Sequence, residues 1–140
     1  MFDTILVPTD GSGGARRAAE HAVELAAESG GTVHALSVVH MGDADFVATP
    51  SDIAETRDRL EEHARAYVDE VADLASAADV ACVTTVRAGI PEDEILAYAD
   101  DQAVDLIAMG KRGRSELEDL LLGSTTRRVV GRASVPVHAV

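Results

Sequence analysis

Between Asp105 and Thr126 the chain reads DLIAMGKRGRSELEDLLLGSTT. Its chemistry lies in a frame of small residues: Gly110, two residues, Gly113, nine residues, then Gly123-Ser124-Thr125. Glycines where a strand ends let bare backbone approach a ligand and leave N–H groups free to point at it. A Gly-Ser-Thr start to a helix adds orphan amides and hydroxyls, which is equipment for holding phosphate. The expectation is a nucleotide phosphate site.

Charge points the same way. The 140 residues carry a formal charge of −13, and the basic residues are eleven arginines and the single Lys111. Residues 110–132 hold Lys111, Arg112, Arg114, Arg127, Arg128 and Arg132 against Glu116, Glu118 and Asp119, so this window is +3 and the remainder −16. A basic island inside an acidic chain favours an anionic ligand. Lys111, Arg112 and Arg114 are assigned to that ligand, with plain solvation as the alternative for Lys111 and Arg114. Arg127, Arg128 and Arg132 are assigned to the negative end of their own helix. The acidic excess with almost no lysine suggests a halophilic protein, adapted to a salt-rich cytoplasm where screening relieves self-repulsion. An ordinary acidic surface is the alternative.

Other chemistries fit poorly. No GxxxxGK[ST] string is present, and the near-match Gly11-Ser12-Gly13 to a dinucleotide fingerprint fails at Arg16. The histidines at 21, 34, 40, 63 and 138 show no HxH, HxxH or HExxH spacing, so no dedicated metal site is expected. Surface or edge positions are the reading for His34 and His138. There is no GxSxG elbow, no catalytic residue is assigned, and receiver-type phosphotransfer lacks its paired acids because strand 1 offers only Asp10. Cys82 is the only cysteine, which excludes an internal disulfide, and it reads as a small buried hydrophobe.

The elements that must position the motif follow from hydrophobic periodicity. Hydrophobic residues make up 46% of the chain but aromatics only 3%, so the core must be aliphatic. Thr4–Thr9, Thr32–Val39, Val80–Arg87, Leu106–Met109 and Val135–Val140 read as strands. Residues 8–14 form a Gly-rich turn. A helix follows to about Ser29, with Ala15, Ala18, Ala22, Leu25 and Ala26 on one face and Gly30-Gly31 as its stop. Residues 40–50 read as an irregular loop. A long helix capped by Ser51 reaches about Ala78, with Ile53, Leu60, Tyr67 and Leu74 and then Ala64, Val71 and Ala78 in its buried stripe. Pro91 with Glu92, Asp93 and Glu94 starts a third helix, whose apolar face is Ile95, Leu96 and Ala99; residues 124–133 form a fourth. The order βαβαβαβαβ implies an α/β fold, a five-stranded parallel sheet with helices on both faces. Right-handed crossovers place every βα turn on one edge, which should bring Asp10 and Gly110 together. No apolar run is long enough to span a membrane, and the start MFDTILVPTD reads as a strand rather than a leader. One domain over 1–140, in the cytoplasm, is expected.

At this point the chain resembles the universal stress protein family, in its ATP-binding branch. The resemblance rests on Val7-Pro8-Thr9-Asp10-Gly11-Ser12, the Gly89-x-Pro91 turn, the strand Asp105–Gly110, the terminal Val135-Pro136-Val137, and the family's G-2x-G-9x-G-[S/T] signature as Gly110, Gly113, Gly123 and Ser124. It implies strand order 3-2-1-4-5, as in adenine nucleotide α-hydrolase-like folds. It implies that Pro8, Thr9 and Asp10 line the adenine and ribose end, that Val38 faces the base, and that Met109 and Gly110 lie under the ribose. Arg112, Gly113, Arg114 and Ser115 would wrap the phosphates, with Lys111 in the same site, and Gly123, Ser124, Thr125 and Thr126 would complete the cradle. ATP is then the expected ligand, with Mg²⁺ or Mn²⁺ on its phosphates. A homodimer through the strand 135–140 is implied, and no nucleic-acid or membrane partner. The expected role is a stress-response regulator acting through nucleotide-dependent conformation or partner binding. A slow ATPase or nucleotide-dependent enzyme is one alternative, and a nucleotide-free dimeric interaction protein another. Pro8-Thr9-Asp10 as a mere turn and Ser124 as a mere N-cap also stay open.

Overall fold

A computed structural model of the chain describes residues 2–40, 50–112 and 122–140. In chain order the elements are β1 (Thr4–Pro8), α1 (Gly13–Ser29), β2 (Thr32–Val39), α2 (Pro50–Ala77), β3 (Ala81–Ala88), α3 (Pro91–Asp101), β4 (Leu106–Met109), α4 (Ser124–Arg132) and β5 (Val137–Ala139). The strands form one parallel sheet in the order β3-β2-β1-β4-β5. The order reverses between β1 and β4, as expected for a doubly wound sheet.

Two aliphatic cores explain why these runs become strands. Ile5, Val7, Val33, Ala35, Leu106 and Ala108 face α1 and α2, meeting Ala19, Ala22, Val23 and Ala26 on one helix and Val68, Val71 and Ala75 on the other. Leu6, Leu36, Ile107 and Met109 point the opposite way, onto Ile95, Tyr98 and Ala99 of α3 and Val129 of α4. With both faces covered, β4 is buried at all four positions, which is why its sequence is a continuous apolar run. Alanines along α1 let that helix sit close to β1 and β4.

Local signals set most of the boundaries. Ser12 caps α1 by accepting the Ala15 N–H at 3.2 Å, and Gly30, at φ 71°, ends it with its N–H on the Ala26 carbonyl. The helix thus starts at Gly13, inside the stretch expected to be turn. Ser51 is not a cap: α2 already includes Pro50, which places Ser51 within the helix. The fully buried positions of α2 are Ala64, Val68, Val71 and Ala75, while Ala78 lies exposed past its end, where Asp79 turns at φ 57°. Ala64 and Val71 hold their expected places, but Val68 and Ala75 replace Tyr67 and Leu74, one residue or about 100° further round the helix. β1 stops at Pro8, β3 runs one residue later than expected, and β5 is trimmed to three residues. Most of the expected loop at 40–50 lies outside the described residues.

Polar ties hold the ends. Asp105 Oδ2 accepts the N–H groups of Asp3 and Thr4, each at 3.0 Å, fastening β1 to β4 at the edge where both strands begin. Arg128 pairs with Glu92 at 3.1 Å and Arg132 with Asp93 at 2.8 Å, so two of the α4 cations dock that helix on α3. This corrects the assignment of Arg128 to a helix end. Its partner is an acid in the first turn of α3, which the same charge pattern equally allowed.

Candidate functional site

The βα turns gather at the carboxyl edge of the sheet, and the turns after β1 and β4 meet there at contact distance. A Cβ placed on Gly110 would lie 2.8 Å from the Gly14 carbonyl carbon and 3.0 Å from the Ala15 nitrogen. One placed on Gly14 would lie 3.2 Å from the Arg112 carbonyl oxygen. The start of α1 therefore rests directly on the backbone of the glycine turn, an approach that side chains at either position would prevent.

A cleft of about 330 Å³ opens at this junction. Its lining combines an apolar slot from Pro8, Leu36, Val38, Pro91, Ile95 and Met109 with a polar flank from Thr9, Asp10, Ser12, Gly110, Arg112, Gly123, Thr125 and Thr126. Ala15 and Tyr67 close it from α1 and α2. The volume is at the low end of the roughly 300–1,000 Å³ typical of small-molecule sites.

The polar flank is held in place by named bonds. Asp10 Oδ1 accepts the Ser12 N–H at 3.0 Å, and Thr9 Oγ1 accepts the Gly11 N–H at 3.2 Å, so the turn after β1 is braced by its own side chains. The Thr9 N–H reaches the Leu36 carbonyl at 2.8 Å, tying that turn to β2. Thr126, buried at the start of α4, donates Oγ1–H to the Gly110 carbonyl at 2.7 Å. The Gly123 N–H bonds to the Lys111 carbonyl, joining the described chain on either side of residues 113–121. Val140 brackets the glycine turn, its N–H on the Met109 carbonyl at 2.9 Å and its carbonyl on the Lys111 N–H at 2.8 Å.

Electrostatics favour an anion here. Both α1 and α4 start at the cleft, and neither carries an acid in its first turn, whereas α3 carries Glu92, Asp93 and Glu94. The start of α4, which no side chain caps, is thus open to a ligand, whereas Ser12 caps α1 and the Asp10 carboxylate lies just ahead of it. Arg112 adds a formal charge to the same flank.

Of the residues expected at the site, Pro8, Thr9, Asp10, Val38, Met109, Gly110, Arg112, Gly123, Thr125 and Thr126 line this one cleft. Lys111 does not: its side chain is exposed while its backbone locks the loop. Ser124 begins α4 beside the cleft without lining it, and Gly123, not Ser124, is the N-cap residue. Gly113, Arg114 and Ser115 lie outside the described residues. Sequence reasoning missed Ser12, Ala15, Leu36, Tyr67, Pro91 and Ile95 as lining residues. Ser12, in the turn after β1, and Pro91, at the start of a helix after β3, were the two whose place at this edge the topology could have signalled.

Fold and cleft together define a doubly wound α/β protein with a cleft of small-molecule size at its topological switch point. The chain belongs to the universal stress protein family, whose model matches residues 1–140. Universal stress protein MJ0531 of Methanocaldococcus jannaschii is 34% identical over 145 residues, spanning 100% of this chain and 82% of its own. YxiE of Bacillus subtilis is 31% identical over 147 residues, spanning 98% of this chain and 97% of its own. Among solved structures, that of MJ0577, whose biochemical function was assigned from its structure, superposes with a TM-score of 0.89 at 29% identity over 100% of this chain and 96% of its own. A universal stress protein in complex with cAMP superposes at 0.75 with 27% identity over 99% and 96% of the respective chains.

Proposed function

We propose that this chain is a single adenine-nucleotide-binding domain that takes ATP in the switch-point cleft and acts as a regulator through its nucleotide state. The observation that carries this reading is the cleft's division into an apolar slot and a flank of helix-start amides, hydroxyls and Arg112. A base fits the first and phosphates the second. A structural relative at 27% identity holds cAMP, which supports an adenine ligand.

In this reading Val38, with Leu36 and Ile95, contacts the base, and Pro8, Thr9 and Asp10 bound the ribose end. Met109 and Gly110 lie beneath the ribose. Arg112 with Gly113, Arg114 and Ser115 wraps the phosphates, which Gly123, Ser124, Thr125 and Thr126 cradle. Lys111 contributes charge from the rim and backbone bonds that fix the loop. Mg²⁺ or Mn²⁺ would be held chiefly by the phosphates, since Asp10 is the only carboxylate among the described residues that line the cleft. Such an ion would neutralise phosphate charge when bound.

Binding is favoured over catalysis because Asp10 already accepts a backbone N–H, and no histidine lies among the described lining residues to act as a general base. Self-association through β5 completes the proposal: β5 is a sheet edge, and pairing with a second copy would satisfy its outward backbone groups. No described helix is long and apolar enough to cross a membrane, which fits the proposed cytoplasmic setting.

Calorimetric titration with ATP, ADP, AMP and cAMP, followed by a phosphate-release assay, tests the proposal. Saturable ATP binding without turnover is expected. Turnover would favour the enzyme reading, and no binding of any of the four would favour a nucleotide-free interaction protein.

A further inference from the structure

Apart from the cleft, α1 and β5 bring together two histidines that are 117 positions apart in the chain. His21 Nδ1 stands 3.2 Å from His138 Nε2, with ring centroids 5.3 Å apart and planes tilted by 35°. Both side chains are exposed to solvent. A separation of 3.2 Å lets one ring N–H donate to the other ring nitrogen. Two imidazole nitrogens on one tetrahedral ion, each about 2.0–2.1 Å from it, stand roughly 3.3–3.4 Å apart. The pair is within about 0.2 Å of that spacing, the tolerance a candidate site should meet.

We propose that His21 and His138 form a two-histidine chelate for a divalent transition-metal ion of the zinc, nickel or copper type. Each ring would bind through the nitrogen facing the other, which places the remaining protons on Nε2 of His21 and Nδ1 of His138. Imidazole suits these ions, whereas Mg²⁺ and Mn²⁺ prefer oxygen ligands, so this site and a nucleotide-borne ion are chemically separable. Among the described residues no group of three or more histidine, cysteine or acidic side chains converges, so those residues would supply two ligands and leave the other positions to water. Glu24, one turn along α1 from His21, and the chain's net charge of −13 both favour cation approach. A bound ion would tie the three-residue strand β5 to α1, adding a cross-link beside its ladder with β4.

The test is calorimetric titration of the full chain, free of any histidine tag, with Zn²⁺ and Ni²⁺, alongside His21→Ala, His138→Ala and His63→Ala. One ion per chain is expected. Either of the first two variants should weaken binding by about 100-fold, the low end of what two tethered ligands gain over one. His63→Ala should bind as the parent does. Thermal unfolding in chelator shows that the variants fold as the parent does, and added Zn²⁺ should raise the midpoint of the parent but not of His21→Ala or His138→Ala. Equal affinity in the parent and either of those two variants, or no binding by the parent, would overturn the chelate and leave a hydrogen-bonded pair.

Discussion

Gly110, Gly14 and Gly13 run along the contact between the glycine turn and the start of α1, and alanine at each should have a graded effect. At Gly110 the new Cβ would meet only backbone: the Gly14 carbonyl carbon at 2.8 Å, the Ala15 nitrogen at 3.0 Å and the Gly14 Cα at 3.1 Å. None of these is a flexible side-chain end, so α1 must retreat by roughly 0.7 Å to restore ordinary carbon contact near 3.5 Å. Overpacking of this kind costs about 1–3 kcal/mol. At Gly14 the nearest atom is the Arg112 carbonyl oxygen at 3.2 Å, so the intrusion is smaller and falls on the backbone beside the cleft. Ligand affinity should drop there with little loss of stability, about 1 kcal/mol or less. At Gly13 the nearest atom is the tip of Arg17 at 3.6 Å, so alanine should be neutral or stabilising by up to about 1 kcal/mol. Urea unfolding of the three variants, with ATP titration of each, reads both effects. A Gly110→Ala protein as stable as Gly13→Ala would refute the claim that backbone contact at this junction builds the cleft.

Three further predictions concern other parts of the molecule. Burial lowers the pKa of His34, whose Nδ1 lies 2.6 Å from the Tyr98 hydroxyl, so the unfolded chain takes up this proton first. The stability that neutral His34 contributes is therefore full above about pH 6.5 and lost as pH falls below it, through the folded pKa. Urea midpoints of the parent should fall more steeply below that pH than those of His34→Gln, and parallel slopes would count against this. Pro136 and Val140 direct their backbone bonds toward β4, so by the two-residue period of a strand Val137 and Ala139 direct theirs to the open edge. Ala139→Pro removes an outward N–H without touching the β4 ladder and should convert a dimer to monomer by light scattering; an unchanged dimer would reject pairing through this edge. Finally, if the net charge of −13 is an adaptation to salt, the thermal midpoint should rise between low and molar salt, whereas equal midpoints would mark an ordinary acidic surface.

The parallel sheet was legible because β1 and β4 carry continuous apolar runs, and Gly30, Gly89 and Pro91 punctuate the chain where helices stop and start, whereas the strand order followed only from the family resemblance. The glycine frame was legible for the same reason that it matters: side chains are missing where backbone meets backbone, as at Gly14 and Gly110. Periodicity reports that a side chain is buried but not where along the element the sheet ends. Tyr67 and Ile95 were therefore read as helix stripe, though both border the cleft. The pairing of His21 with His138 joins a helix face to a distant strand, a register that no spacing along the chain encodes. Arg128 and Arg132 show a further limit, since a cluster of cations in sequence says nothing of the acids on α3 that receive them.

In the proposed reading, the cleft between β1 and β4 holds an adenine nucleotide with its phosphates at the start of α4. Calorimetric titration of ATP into the parent and into Gly123→Val tests it most directly. Gly123 has φ −68° and ψ 162°, an extended conformation that valine adopts readily, so the variant should fold while its side chain occupies the phosphate flank. One saturable ATP site in the parent, absent from a folded Gly123→Val, is the predicted result. Unaltered ATP affinity in that variant would contradict the account.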